Sequence, residues 1–118
     1  MLSGSPAKSR VFFILDNLKQ KGNQMSMYRI TRFTAPDMEK AGEIVESMRS
    51  TLEDMGAEFI DLVSYGNGKG VVIAKYSSQE AMDAATDTAK NAFAKMIEAG
   101  AVEKDSIHPH TGTVFKSF

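Results

Sequence analysis

The sequence predicts an α+β fold with the element order β-α-β-β-α-β, and three observations carry that prediction. Phe59–Tyr65 and Val71–Tyr76 are short runs of β-branched and aromatic residues, separated by Gly66, Asn67, Gly68 and Gly70, which accept the positive φ of a tight hairpin. Ahead of them, Met38, Ala41, Val45, Met48, Leu52 and Met55 recur at alternating intervals of 3 and 4, the stripe of an amphipathic helix lying on a core. Behind them, Ser77 and Glu80 make the S-x-x-E pattern of a helix start, in which hydroxyl and carboxylate each satisfy an unpaired backbone N–H.

Taken in order, residues 1–24 form an N-terminal extension to a domain of residues 25–118. The extension carries Lys8, Arg10, Lys19 and Lys21 against Asp16, a net +3, which leaves −4 on the remainder of a chain whose formal charge is −1. Ser5-Pro6 suits an N-cap and first helical position, and Val11, Leu15 and Leu18 follow at helical spacing, so a short helix through about Lys21 is expected, with an edge strand at Val11–Leu15 as its competitor. Met25 and Met27 also offer a second start site, which would make the first 24 residues upstream sequence.

Met27–Phe33 reads as the first strand, with Tyr28, Ile30 and Arg32 on one face and Met27, Arg29, Thr31 and Phe33 on the other. Pro36 suits a first helical position, Asp37 and Glu39 supply negative charge to the first turn, and Gly56 ends that helix. The methionines in its stripe read as core filling between helix and sheet. The second helix runs from about Ser78 to Glu98, with an alanine-rich inner stripe, and stops at Gly100. Pro109 cannot donate to a ladder, so the last strand is drawn from His110 or Thr111 to Phe118, with Val114, Phe115 and Phe118 as its apolar contacts.

This split βαβ order gives a four-stranded antiparallel sheet with both helices on one face. The central strands are apolar on both sides, so the second face calls for a cover, and the simplest cover is a second copy of the chain. The element order, the glycine-rich hairpin and the passage GKGVVIAKYSSQEAMDAA resemble the dimeric α/β-barrel proteins of the ferredoxin-like fold, which include antibiotic biosynthesis monooxygenases and stress-responsive barrel proteins. The resemblance covers about residues 26–118 and implies a homodimer whose sheets face each other around an interior that often holds a small organic ligand. Haem-degrading members rely on a helix-borne His, and several members use a Trp. Here there is no Trp and neither predicted helix contains a His, which argues against haem degradation.

Composition narrows the function classes further. The near-neutral charge argues against nucleic acid as a partner, since phosphate-backbone binding needs clustered Lys and Arg. With no cysteine there is no disulfide framework or thiolate site, and no apolar run reaches membrane-spanning length or a signal-peptide core, so a cytoplasmic location is expected. No cofactor is implied. His108-Pro109-His110 lacks a third ligand for zinc and reads as the polar start of the last strand, without a metal. Gly66–Gly70 leads into a strand and not a helix, which excludes a phosphate loop. Asp61 lies between Phe59 and Val63 on one strand face, and a carboxylate on an apolar face needs a partner or a raised pKa. Arg29, Asp61, Tyr65 and His110 are therefore the candidate ligand-binding residues. Two functions remain open: a non-catalytic or stress-associated homodimeric module, and a small-molecule enzyme such as a cofactor-independent monooxygenase with a pocket between sheet and helices.

Overall fold

A computed structural model describes residues 25–118, so both readings of the N-terminal extension lie outside the described residues. Among the described residues the elements are β1 (Met27–Thr34), α1 (Met38–Ser47), α2 (Arg49–Glu53), β2 (Phe59–Gly66), β3 (Lys69–Tyr76), α3 (Gln79–Ala84), α4 (Thr86–Glu98) and β4 (His108–Thr113), with a 3-10 turn at Lys104–Ser106 ahead of β4. They build one four-stranded antiparallel sheet in the order β2-β3-β1-β4. This is the split βαβ arrangement that the order of elements predicts.

Each predicted helix is in fact two. The first is capped by Asp37, whose carboxylate accepts from the Lys40 N–H at 3.0 Å, so Pro36 precedes the helix and does not begin it. It breaks at Met48, where φ is −104°. Just before the break the Ser47 hydroxyl donates to the Ile44 carbonyl at 2.6 Å, occupying the acceptor that the Met48 N–H would use in a continuing helix. The second is capped by Ser78, which accepts from the Ala81 N–H at 3.1 Å; the predicted Ser77–Glu80 box is displaced by one residue. It breaks after Ala84, where the Thr86 hydroxyl donates to the Met82 carbonyl at 3.2 Å in the same way.

The last strand also departs from expectation. It begins at His108, includes Pro109 and ends at Thr113. As an edge strand β4 has one side without a ladder, and a proline whose nitrogen faces that side removes no bond. Val114–Phe118 carry no strand, and Phe115 and Phe118 are exposed where they were expected to pack. Ser26 and Val114–Phe118 belong to a compact unit separate from Met27–Thr113, in which the Val114 N–H donates to the Ser26 carbonyl at 2.8 Å.

Pairing assigns the faces of the sheet. Residues opposite one another in an antiparallel ladder share a face. Met27, Arg29, Thr31 and Phe33 of β1 therefore lie with Tyr76, Ala74, Val72 and Gly70 of β3 and with Ile60 and Leu62 of β2, and this face carries the helices. Its core has two centres. Phe33, Ala35 and Ala41 gather with Met96, Ala101 and Val102, while Met27, Ala74 and Tyr76 gather with Met82 and Ala85.

The hairpin between β2 and β3 turns through Asn67 and Gly68, at φ 56° and 76°, the Asn-Gly solution whose backbone twist matches the strands. Gly70 has a different task from the one its place in the glycine cluster predicted. It lies within β3 opposite Phe33, and a Cβ there would sit 2.7 Å from the Phe33 ring and 2.9 Å from the Val63 carbonyl oxygen. Gly70→Ala is expected to cost about 1–3 kcal/mol through overpacking, read as a lowered urea midpoint at unchanged slope. A midpoint equal to that of the parent would contradict this contact.

Candidate functional site

The face of the sheet opposite the helices forms a grid in which every row can be read across all four strands. From β2 to β4 the rows are Phe59, Lys75, Tyr28 and Gly112; then Asp61, Ile73, Ile30 and His110; then Val63, Val71, Arg32 and His108. The centre of this open face is Ile73 and Ile30, flanked on the β2 edge by Phe59 and Val63; Ile30 (39%), Phe59 (39%) and Val63 (38%) keep more than a third of their surface exposed, while Val71 is buried. One end is aromatic. Tyr28 and Phe59 meet edge to face at 6.2 Å, with the Lys75 ammonium 6.0 Å from the Tyr28 ring and 3.7 Å from the Glu58 carboxylate.

The other end is cationic. There Arg32, Thr34, Lys69 and His108 share the open face, and with Phe33, Tyr65, Gly70 and Ser106 they line a cleft of about 640 Å³ among the described residues. The pairing between β2 and β3 shifts after Ser64, so Tyr65 bulges out of the ladder beside this cleft. Lys69 donates from Nζ to Thr34 Oγ1 at 3.4 Å. Ser106 is held at the floor, accepting from the Thr34 N–H at 2.9 Å and donating to the Glu103 carbonyl at 2.6 Å.

The four residues singled out from the sequence do not converge within one chain. Arg29 is on the helix face; its guanidinium donates to Thr86 Oγ1 at 2.7 Å and to the Met82 carbonyl at 3.4 Å, and lies 5.9 Å from the Tyr76 ring. It thus places a cation at the C-terminal end of α3, where the helix dipole favours positive charge. Asp61 and His110 do share the open face and one row, but at opposite edges, three strand spacings or about 14 Å apart. Tyr65 stands at the cationic end. Arg32, Lys69 and His108 are the cleft residues that the sequence reading left out of the candidate set.

Arg29→Met keeps the packed stem and removes the guanidinium bonds. A loss of about 1–3 kcal/mol in unfolding free energy is expected, with β-sheet circular dichroism retained. An unchanged denaturation midpoint would show that the tie to α3 carries nothing.

Between sheet and helices the cavity is small. Thr31, Val72, Ala74, Tyr76, Phe93 and Met96 are among the residues enclosing about 50 Å³, well below the roughly 300–1,000 Å³ of small-molecule sites. The larger space on that side lies beside this cavity, at the β4 edge, where Arg29 and Thr31 are among its lining residues. This groove of about 470 Å³ runs between α4 and β4, past Ala89, Phe93, Ile97 and Pro109. Among the described residues, no three carboxylate, imidazole or thiol groups gather in metal-binding distance, and no helix is long and apolar enough to cross a membrane.

No protein-family model matches the chain, and no curated protein is significantly similar to it. Solved structures do match. A dimeric ferredoxin-like protein from an uncultured marine organism superposes with a TM-score of 0.56 at 14% identity, covering 80% of this chain and 92% of that one. Rv0793 from Mycobacterium tuberculosis superposes with a TM-score of 0.55 at 17% identity, covering 78% of this chain and 97% of that one. At such identities the likeness speaks for the fold, and with the strand order β2-β3-β1-β4 it identifies this chain as having the ferredoxin-like fold.

Proposed function

We propose that the chain works as a homodimeric, non-catalytic binding module in which two copies pack open face to open face. The observation that carries this reading is the apolar patch of the open face, where Ile30 and Ile73 at the centre and Val63 and Phe59 on the β2 edge lie on the side of the sheet away from α1, α2, α3 and α4. Exposed apolar surface of this kind marks an interface, and a neighbour of the same fold is described as dimeric. The sheet edges favour the same assembly. A two-fold axis along the interior would set the β4 edge of one copy beside the β2 edge of the other, closing both edges into a barrel. The same operation carries Asp61 towards His110 of the partner subunit, giving these two residues a common site that one chain does not provide.

Sedimentation velocity tests the reading. The expected species has twice the 12.9 kDa chain mass at micromolar concentration. A species of 12.9 kDa across that range would overturn the proposal.

A further inference from the structure

We propose that the cleft at the cationic end of the open face is a binding site for a small organic anion, a carboxylate or a phosphate, gripped by Arg32, Lys69 and His108. The argument begins with spacing. Arg32 and His108 are direct cross-strand partners, and Lys69, opposite Thr34, is the diagonal neighbour of Arg32 across the β1–β3 ladder. Such pairs have their Cβ atoms about 5 Å and about 7–8 Å apart, so the three basic side chains reach one point above the sheet.

The Arg32 and Lys69 charges so placed repel one another, and an anion held between them relieves that repulsion. The described lining of the cleft contains no carboxylate, and among the described residues the ion pairs engage Arg49 and Lys75, not Arg32 or Lys69. An external anion meets the need. Arg32 offers the planar fork that matches a carboxylate or two phosphate oxygens, Lys69 a mobile point charge, and His108 a ring N–H.

The remaining lining sets the kind of anion. Thr34 Oγ1 already receives the Lys69 ammonium, which orients that cation over the cleft. Ser106 is committed to the backbone and shapes the floor. Tyr65, two-thirds exposed at the bulge, presents ring surface to the same space. About 640 Å³ is ample for more than an inorganic ion, so an aryl or short alkyl body attached to the anionic group fits the walls.

This site is built from one chain and does not rest on the dimer reading. The test is NMR titration of the full chain at low salt with inorganic phosphate, benzoate and phenyl phosphate as separate probes. The expected result is saturable shifts confined to Arg32, Tyr65, Lys69 and His108 and their neighbours, with phenyl phosphate or benzoate tighter than phosphate alone. Arg32→Gln is expected to weaken binding about tenfold or more, the effect of losing a charge-assisted hydrogen bond. Lys69→Gln, at an exposed hairpin position where folding is not at stake, is expected to weaken it severalfold, and Arg49→Gln on α2 to leave it unchanged. Shifts spread over all basic residues, equal loss in Arg49→Gln, or no saturation with any probe would each overturn the proposal. Repeating the titration on the monomeric variant discussed below separates failure of the site from failure of the dimer.

Discussion

Ile30→Glu is expected to turn the proposed dimer into a monomer without unfolding it. Ile30 is 39% exposed in the single chain and lies on the open face beside Ile73, so in a monomer the new carboxylate stays in water. The fold then loses only strand propensity and some side-chain contact, within about 1 kcal/mol. In the proposed dimer the same carboxylate would be enclosed between the two sheets, with Ile73 on one side and the His110 imidazole on the other as its nearest polar group. Uncompensated burial of a charge costs about 3–5 kcal/mol, which weakens association by more than about a hundredfold, and a symmetric interface carries the substitution twice. Sedimentation and circular dichroism together check the outcome. Loss of the dimer with unchanged spectrum is predicted; a dimer of parental strength would mean that the open face is not the interface.

Tyr76→Ala is the substitution expected to damage the fold itself most. Tyr76 is fully buried at the end of β3, packed with Met27, Met82 and Ala85 and lying under the Arg29 guanidinium. Removing a buried aromatic side chain costs about 3–5 kcal/mol, a large part of the roughly 5–15 kcal/mol that holds a domain together. A steep fall in the urea midpoint is predicted, and a loss below about 1 kcal/mol would contradict the packing described here. Tyr76→Phe separates ring from hydroxyl and is expected to keep most of the stability. Burial raises the Tyr76 phenol above its ordinary value of 10.0, against a smaller opposing effect from Arg29. A phenol whose folded-state pKa is raised contributes stability that is present below pH 10.0 and lost as pH rises through the folded-state value. The parent should therefore lose stability in strong alkali more steeply than Tyr76→Phe.

The architecture was legible because local signals agreed. Period-two patterning in Met27–Phe33, the Asn-Gly turn, and the 3-4 stripe from Met38 to Met55 all point to one arrangement, and the structure has it. Positions where a side chain competes with the backbone were not legible. Ser47 and Thr86 each take a helical carbonyl and break the helix beside them, and nothing in the apolar stripe reports that competition. Pro109 misled for a related reason: its effect depends on whether its strand is an edge, which is a property of the sheet and not of the dipeptide.

The candidate site was only partly legible, because side-chain parity can be read within a strand while register between strands cannot. Parity placed Arg32 with Tyr28 and Ile30, and Arg29 on the opposite side, as the structure does. Convergence of Arg32, Lys69 and His108 depends on two separate ladders and on the hairpin bulge beside Tyr65. Starting the last strand after Pro109 also took His108 out of the sheet, and with it the cross-strand partner of Arg32.

The most direct test of the assembly is intermolecular paramagnetic broadening, and the absence of cysteine makes it clean to set up. A single Gly112→Cys places a spin label on the open face at the β4 edge, where an added Cβ meets nothing within 4 Å. Mixing labelled chains with isotope-enriched parent chains restricts the readout to contacts between copies. The predicted result is broadening of amides in β2 and in the open-face rows containing Ile30 and Ile73, with the amides of α4 unaffected. Broadening centred on α4, or none between copies, would contradict the open-face dimer.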